Sequence, residues 1–90
     1  MEHQHDSNLL LRLDILAGYV AAVERSGELL QICARSTDEM VALEIAKAFT
    51  VRLEVADAIL AMQVRRFTPD ALQKLESELA EVELRVRNND

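Results

Sequence analysis

The chain has 90 residues, half of them hydrophobic, with two Gly, one Pro and one Cys, which fits one small folded domain and excludes a collagen-like or low-complexity tail. Its formal net charge is −6, from 16 acidic and 10 basic side chains, and this argues against the basic face that phosphate binding needs. No apolar run approaches the roughly 20 residues of a membrane-spanning helix, so no membrane association is expected.

Residues 1–8 read as a polar, disordered tail, and residues 9–87 as a single helical domain followed by a second tail at 88–90. Met1 to Asp6 lacks the basic and apolar regions of an export signal, and Cys33 has no partner for an internal disulfide. A cytoplasmic location is the expectation. Asp6 or Ser7 can cap the first helix by accepting bonds from its free amides. Leu9, Leu13, Leu16, Val20 and Val23 then recur at steps of 4, 3, 4 and 3, a helical stripe close to a coiled-coil seam. Gly18 sits inside that stretch at a propensity cost of about 1 kcal/mol relative to Ala, which points to a close backbone approach.

Ser26-Gly27 is the first break, with Ser26 a cap for a short helix from Glu28 to about Ala34. Ser36-Thr37-Asp38-Glu39 reads as a capping box, in which Ser36 caps and Glu39 reaches back to the Ser36 amide. Between Thr37 and Phe67 there is neither Gly nor Pro. The helical phase of Val41, Ile45, Ala48 and Phe49 shifts before Val55, Ile59, Leu60 and Met62, so this stretch is two helices meeting near Thr50 or one bent helix. Thr68-Pro69 opens the last helix, with Thr68 as cap and Pro69 in the first turn. Leu72, Leu75, Leu79, Val82 and Val86 repeat the seam spacing, and Glu81–Arg85 and Glu83–Arg87 are helix-stabilising pairs.

Strand alternation and hairpin turns are missing, so the expected fold class is all-α with four to five helices. The two seams predict an antiparallel two-helix stalk, and the shorter middle helices a knob at its far end. So short a chain with so much aliphatic surface favours burial against a partner.

Several residues invite a chemical reading. His3 and His5 make a loose His-x-His pattern, but two ligands on a tail are too few for a site, and no metal or cofactor is expected. Cys33 reads as a small buried hydrophobe, and Met40 and Met62 as core or interface filler. Arg65 and Arg66 form the only adjacent basic pair. They are expected to bond helix ends or carboxylates near Thr68 rather than phosphate. With only Tyr19, Phe49 and Phe67 for stacking, direct nucleic-acid binding is not expected. The run Glu76, Glu78, Glu81, Glu83 reads as a solvated helix face. A competing class is a small helical enzyme of chorismate-mutase type. It would need Arg12, Arg25, Arg35, Lys47 and Arg52 to converge on a dicarboxylate, and the first-helix spacing of that family is not met.

Four stretches carry a family resemblance. Arg12-Leu13-Asp14-Ile15-Leu16-Ala17-Gly18 resembles R-x-H-I-L-E-G of the type IIA topoisomerase A subunit, that is, DNA gyrase A and topoisomerase IV A. Ser36-Thr37-Asp38-Glu39 stands where that family often reads T-P-E-E. Ala56 to Thr68, A-D-A-I-L-A-M-Q-V-R-R-F-T, resembles A-Q-A-I-L-D-M-R-L-R-R-L-T. Ala71 to Leu79 resembles the E-R-E-K-I-E-x-E-Y-type opening of the next helix. The stretches align without gaps over roughly residues 10–87.

In that family this region is the exit gate, or C-gate: two long antiparallel helices end in a helical globule that pairs with its twin. The resemblance therefore implies a homodimerising interaction module without DNA-cleavage chemistry, because the cleavage core and its nucleophilic tyrosine have no match here. It also raises a full-length gyrase or topoisomerase IV A subunit as a partner that the module would modulate or inhibit. The expected dimer interface is Leu29, Leu30, Cys33, Ala56, Ile59, Leu60 and Gln63.

Overall fold

The computed structural model describes the backbone of residues 2–88 and the side chains of residues 7–88. The side chains of His3, His5 and Asp6 and the tail residues 89–90 lie outside the described residues. The fold is all-α: α1 (Glu2–Glu24), α2 (Ser26–Arg35), α3 (Val41–Phe49), α4 (Leu53–Leu60) and α5 (Pro69–Asn88), with a 3₁₀ turn at Val64–Phe67 before α5. Helix α1 begins ahead of the Asp6 or Ser7 cap and takes in most of the stretch read as a tail. Once the seam from Leu9 nucleates a helix, each further residue adds a backbone hydrogen bond at little cost. Among the described residues no helix is long and apolar enough to cross a membrane.

Helices α1 and α5 pair antiparallel. The Arg66 guanidinium, just before α5, lies 5.6 Å from the Tyr19 ring centre, while Glu78 farther along meets Arg12 at 3.2 Å. Residue numbers therefore rise on one helix as they fall on the other. All ten seam residues, from Leu9 to Val23 and from Leu72 to Val86, lie in one apolar cluster centred on the buried Leu16, Val23, Leu75 and Val82. A Thr68 cap holds the start of α5, with the Ala71 amide donating to Thr68 Oγ1 at 3.2 Å.

The second cluster joins α2, α3 and α4 to another face of α1. Its buried members are Ala22, Leu29, Ile32, Ile45, Phe49, Val55, Ala56 and Ile59, with Ile15 and Tyr19 packed against them. The knob is therefore not a tip beyond the stalk: it docks along the upper half of α1. Helix α4 packs tightly on α1 at Gly18, where an added Cβ would stand 2.5 Å from Val55 Cγ1. An Asp14–Arg52 ion pair of 2.8 Å closes the same junction. Tyr19, Met62 and Phe67 touch both clusters and join them.

The boundaries inside the knob differ from the sequence reading in three places. Arg25, not Ser26, is the residue preceding α2. The capping box does not form: the Ser36 amide donates back to Ile32 O at 3.0 Å and so ends α2. Thr37 O then accepts from the Met40 and Val41 amides at 3.1 and 2.9 Å, and α3 starts only at Val41. Third, α4 stops at Leu60 instead of running on to Phe67. The phase shift near Thr50 is a true break. Thr50 adopts a left-handed conformation (φ 55°, ψ 52°), and the Val51 amide reaches Ala46 O at 3.0 Å, a Schellman-like stop.

Candidate interaction surface

The seven residues expected at a dimer interface divide sharply. Leu29, Ala56 and Ile59 are buried in the knob core, at 5%, 0% and 2% exposure. These three belong to the intramolecular core and not to a dimer interface, because residues packed against α1 and α3 have no surface to offer a partner. Leu30, Cys33, Leu60 and Gln63 face outward. Cys33 is thus exposed and not a buried hydrophobe.

The burial pattern extends the outward set. Helix α4 turns Val55, Ala56 and Ile59 inward, which leaves Leu53, Asp57 and Leu60 on the opposite side at helical spacing. Val64, in the 3₁₀ turn beyond the end of α4, is a further exposed apolar side chain. Leu53, Leu60 and Val64 are 52%, 39% and 84% exposed, with Ala61 exposed between the last two. On α2 the matching feature is smaller, a single large side chain, Leu30, beside Cys33. Met40 and Leu43 add a third exposed pair on the α3 side. Leu53 and Val64 escaped the sequence reading, although the spacing of Leu53, seven before Leu60, carried the signal; that of Val64 did not, because α4 ends at Leu60.

The molecule is also thin. Its principal extents are 42 × 29 × 17 Å and its radius of gyration is 13.9 Å, against about 12 Å for a compact 90-residue domain. Its accessible surface is 6491 Å², whereas surface scaling gives about 5,300 Å² for a monomer of this mass. The excess, roughly 1,200 Å², reflects the elongated shape.

Charged groups near these faces are spent on the fold. Arg25 donates to both Glu28 carboxylate oxygens at 2.9 and 2.8 Å and to Ala48 O at 3.1 Å, and its guanidinium lies 4.2 Å from the Phe49 ring centre. It thereby ties the α1–α2 corner to an unsatisfied carbonyl at the end of α3. The hydrogen bond from Arg25 holds the Glu28 carboxyl below its ordinary value against desolvation, which raises it, and the positive charges of Arg25 and Arg35 add smaller downward pulls. Arg52 pairs with Asp14 and, at 3.9 Å, with Glu54. Arg66 stacks on Tyr19 instead of meeting a carboxylate, and the Arg65 carbonyl accepts from Thr68 Oγ1 at 3.4 Å.

Other sequence candidates are dispersed. Arg12, Arg35 and Arg52 line three separate grooves, so the cations of the chorismate-mutase reading do not converge. In the acidic run, Glu78 meets Arg12 and Glu81 meets Arg85 at 3.4 Å. Met40 is exposed, and Met62 is half-buried where the two clusters join. No protein-family model matches this chain, and no curated protein matches it either.

Proposed function

We propose that this chain is a homodimerising interaction module of the topoisomerase C-gate type, to which it brings no cleavage chemistry. The observation that carries the reading is the outer face of α4. Leu53 and Leu60 form an exposed apolar line on α4, with the exposed Val64 in the turn that follows, on a chain whose total surface exceeds that of a compact monomer. The antiparallel pairing of two long helices is also what the family resemblance implies, although the knob here docks along α1 instead of standing at the end of the arms. In this reading the α4 face pairs with the same face of a second copy about a two-fold axis. Leu60 and Gln63 remain in the proposed interface, Leu53 and Val64 join it, and Leu30 and Cys33 are exposed on α2 outside it.

Burying a large aliphatic side chain from water gains about 1.5–3 kcal/mol at most, and these are already partly covered. Six such side chains across two copies must outweigh an association cost of about 4–15 kcal/mol. The dimer is accordingly weak, and sedimentation equilibrium over roughly 1–300 µM is the right test. The expected result is a rise from the 10.1 kDa monomer towards twice that mass. Leu60→Arg should abolish the rise while leaving the helical circular dichroism unchanged. A monomer at every concentration, or a dimer indifferent to Leu60→Arg, would overturn the reading.

A further inference from the structure

The apolar line on α4 has a charge at its centre. Asp57 lies one turn beyond Leu53 and one turn before Leu60 and is exposed like both of them. None of the ion pairs among the described residues involves it. Helix α4 itself carries no cation, and Arg52, the residue before it, is committed to Asp14 of α1 and to Glu54. Asp57 therefore stands on this face uncompensated, with Glu54 one turn away adding to the negative potential.

This inference rests on the self-pairing of α4 proposed above. Symmetry then fixes what Asp57 meets. In an antiparallel pairing that sets Leu53 of one copy against Leu60 of the other, position 57 faces position 56, and the two copies of Asp57 stand within one residue of each other along the seam. In a parallel pairing every position faces its own copy, and 57 meets 57. Helices in contact lie about 8–10 Å apart, so the two carboxylates are brought within several ångströms in a partly dried seam. Like charges at that range repel appreciably and are screened by salt.

We infer that Asp57 makes the α4 face a frustrated self-partner, one that prefers an otherwise similar knob carrying a positive charge at the position of Asp57. The apolar line supplies the attraction, and the central carboxylate selects among partners that share it. Selection by a repulsive element is a general means of specificity at helix seams.

The test mixes variants of this chain. Asp57→Asn should tighten the homodimer about tenfold and flatten its dependence on salt. An equimolar mixture of wild type and Asp57→Lys should form heterodimers at well above the statistical one-half, as read by native mass spectrometry. Glu83→Gln and Glu83→Lys are the controls. They change the net charge equally at an exposed position on the α5 arm, and should give neither the tightening nor the heterodimer excess. If wild type dimerises through Leu60 but Asp57 and Glu83 variants behave alike, the charge inference fails and the module reading stands. If neither wild type, Asp57→Asn nor the wild-type–Asp57→Lys mixture dimerises, both fail.

Discussion

The stalk and the knob are built from the same aliphatic residues by different rules. In the stalk, two long helices meet along one line, so each seam residue has a single neighbour to find, and spacing along the chain is enough to select it. In the knob, three helices of eight to ten residues pack against one another and against α1. Each is apolar on more than one side, so spacing shows that a helix has an apolar face but not which face lies inside. Leu29 and Leu30 are adjacent and chemically identical, yet one is 5% and the other 67% exposed. What separates them is the roughly 100° turn between successive helical residues and the position of α3.

The two regions also share a wall. Helix α1 serves the stalk through Leu9, Leu13, Leu16, Val20 and Val23, and the knob through Ile15, Tyr19 and Ala22. The contrast is sharpened most by removing one large side chain from each cluster. Ile45→Ala in the knob and Leu75→Ala in the stalk should each cost about 2–5 kcal/mol, measured by urea denaturation. Because α1 is common to both, each variant should shift a single transition. Two resolved transitions would break the picture of a shared wall and make stalk and knob independent units.

A smaller effect is expected at the seam between the regions. Gly18→Ala gains about 1 kcal/mol of helix propensity. It also drives a methyl to 2.5 Å from a buried, β-branched Val55, and such overpacking costs about 1–3 kcal/mol. The expected balance is a loss of about 1 kcal/mol, read as a lower urea midpoint. A stabilised variant would show that α4 is not seated on α1 at this glycine.

The smallest effect belongs to the Arg25–Glu28 pair on the knob side. The Glu28 carboxyl titrates below its ordinary value of 4.5 when folded, chiefly through the hydrogen bond from Arg25. The pair therefore contributes stability above that ordinary value, and loses it as pH falls through the lower folded value. Thermal melts should show wild type slightly more stable than Glu28→Gln at neutral pH, with the gap closing in acid. A gap that persists well below pH 4.5 would assign the effect to packing instead.

How much of this was legible in the sequence follows the same division. The stalk seam, the Thr68 cap, the break at Thr50 and the role of Gly18 all rest on a residue and its near neighbours along the chain. The capping box at Ser36 misled because Ser, Thr and Asp satisfy the end of one helix as readily as the start of the next. Here the Ser36 amide is taken by Ile32 O, and Thr37 O makes the turn. Arg25 held no signal of its own, since its partners Ala48 and Phe49 are distant in sequence and become near only when α3 folds back. The candidate surface was half legible: Leu60 stands on it and Gln63 is exposed just beyond the end of α4, while Ala56 and Ile59 share the helix of Leu60 and point inward.

Local chemistry by itself determined that the chain is helical, where its two long arms begin their seams, and which side chains those arms present to each other. Only the tertiary structure decided which flank of each short helix is dry, that the knob lies along α1 and not beyond it, and that Asp57 stands amid an uncovered apolar line. Periodicity measures angles around one helix axis, whereas inside and outside depend on where the neighbouring axes lie.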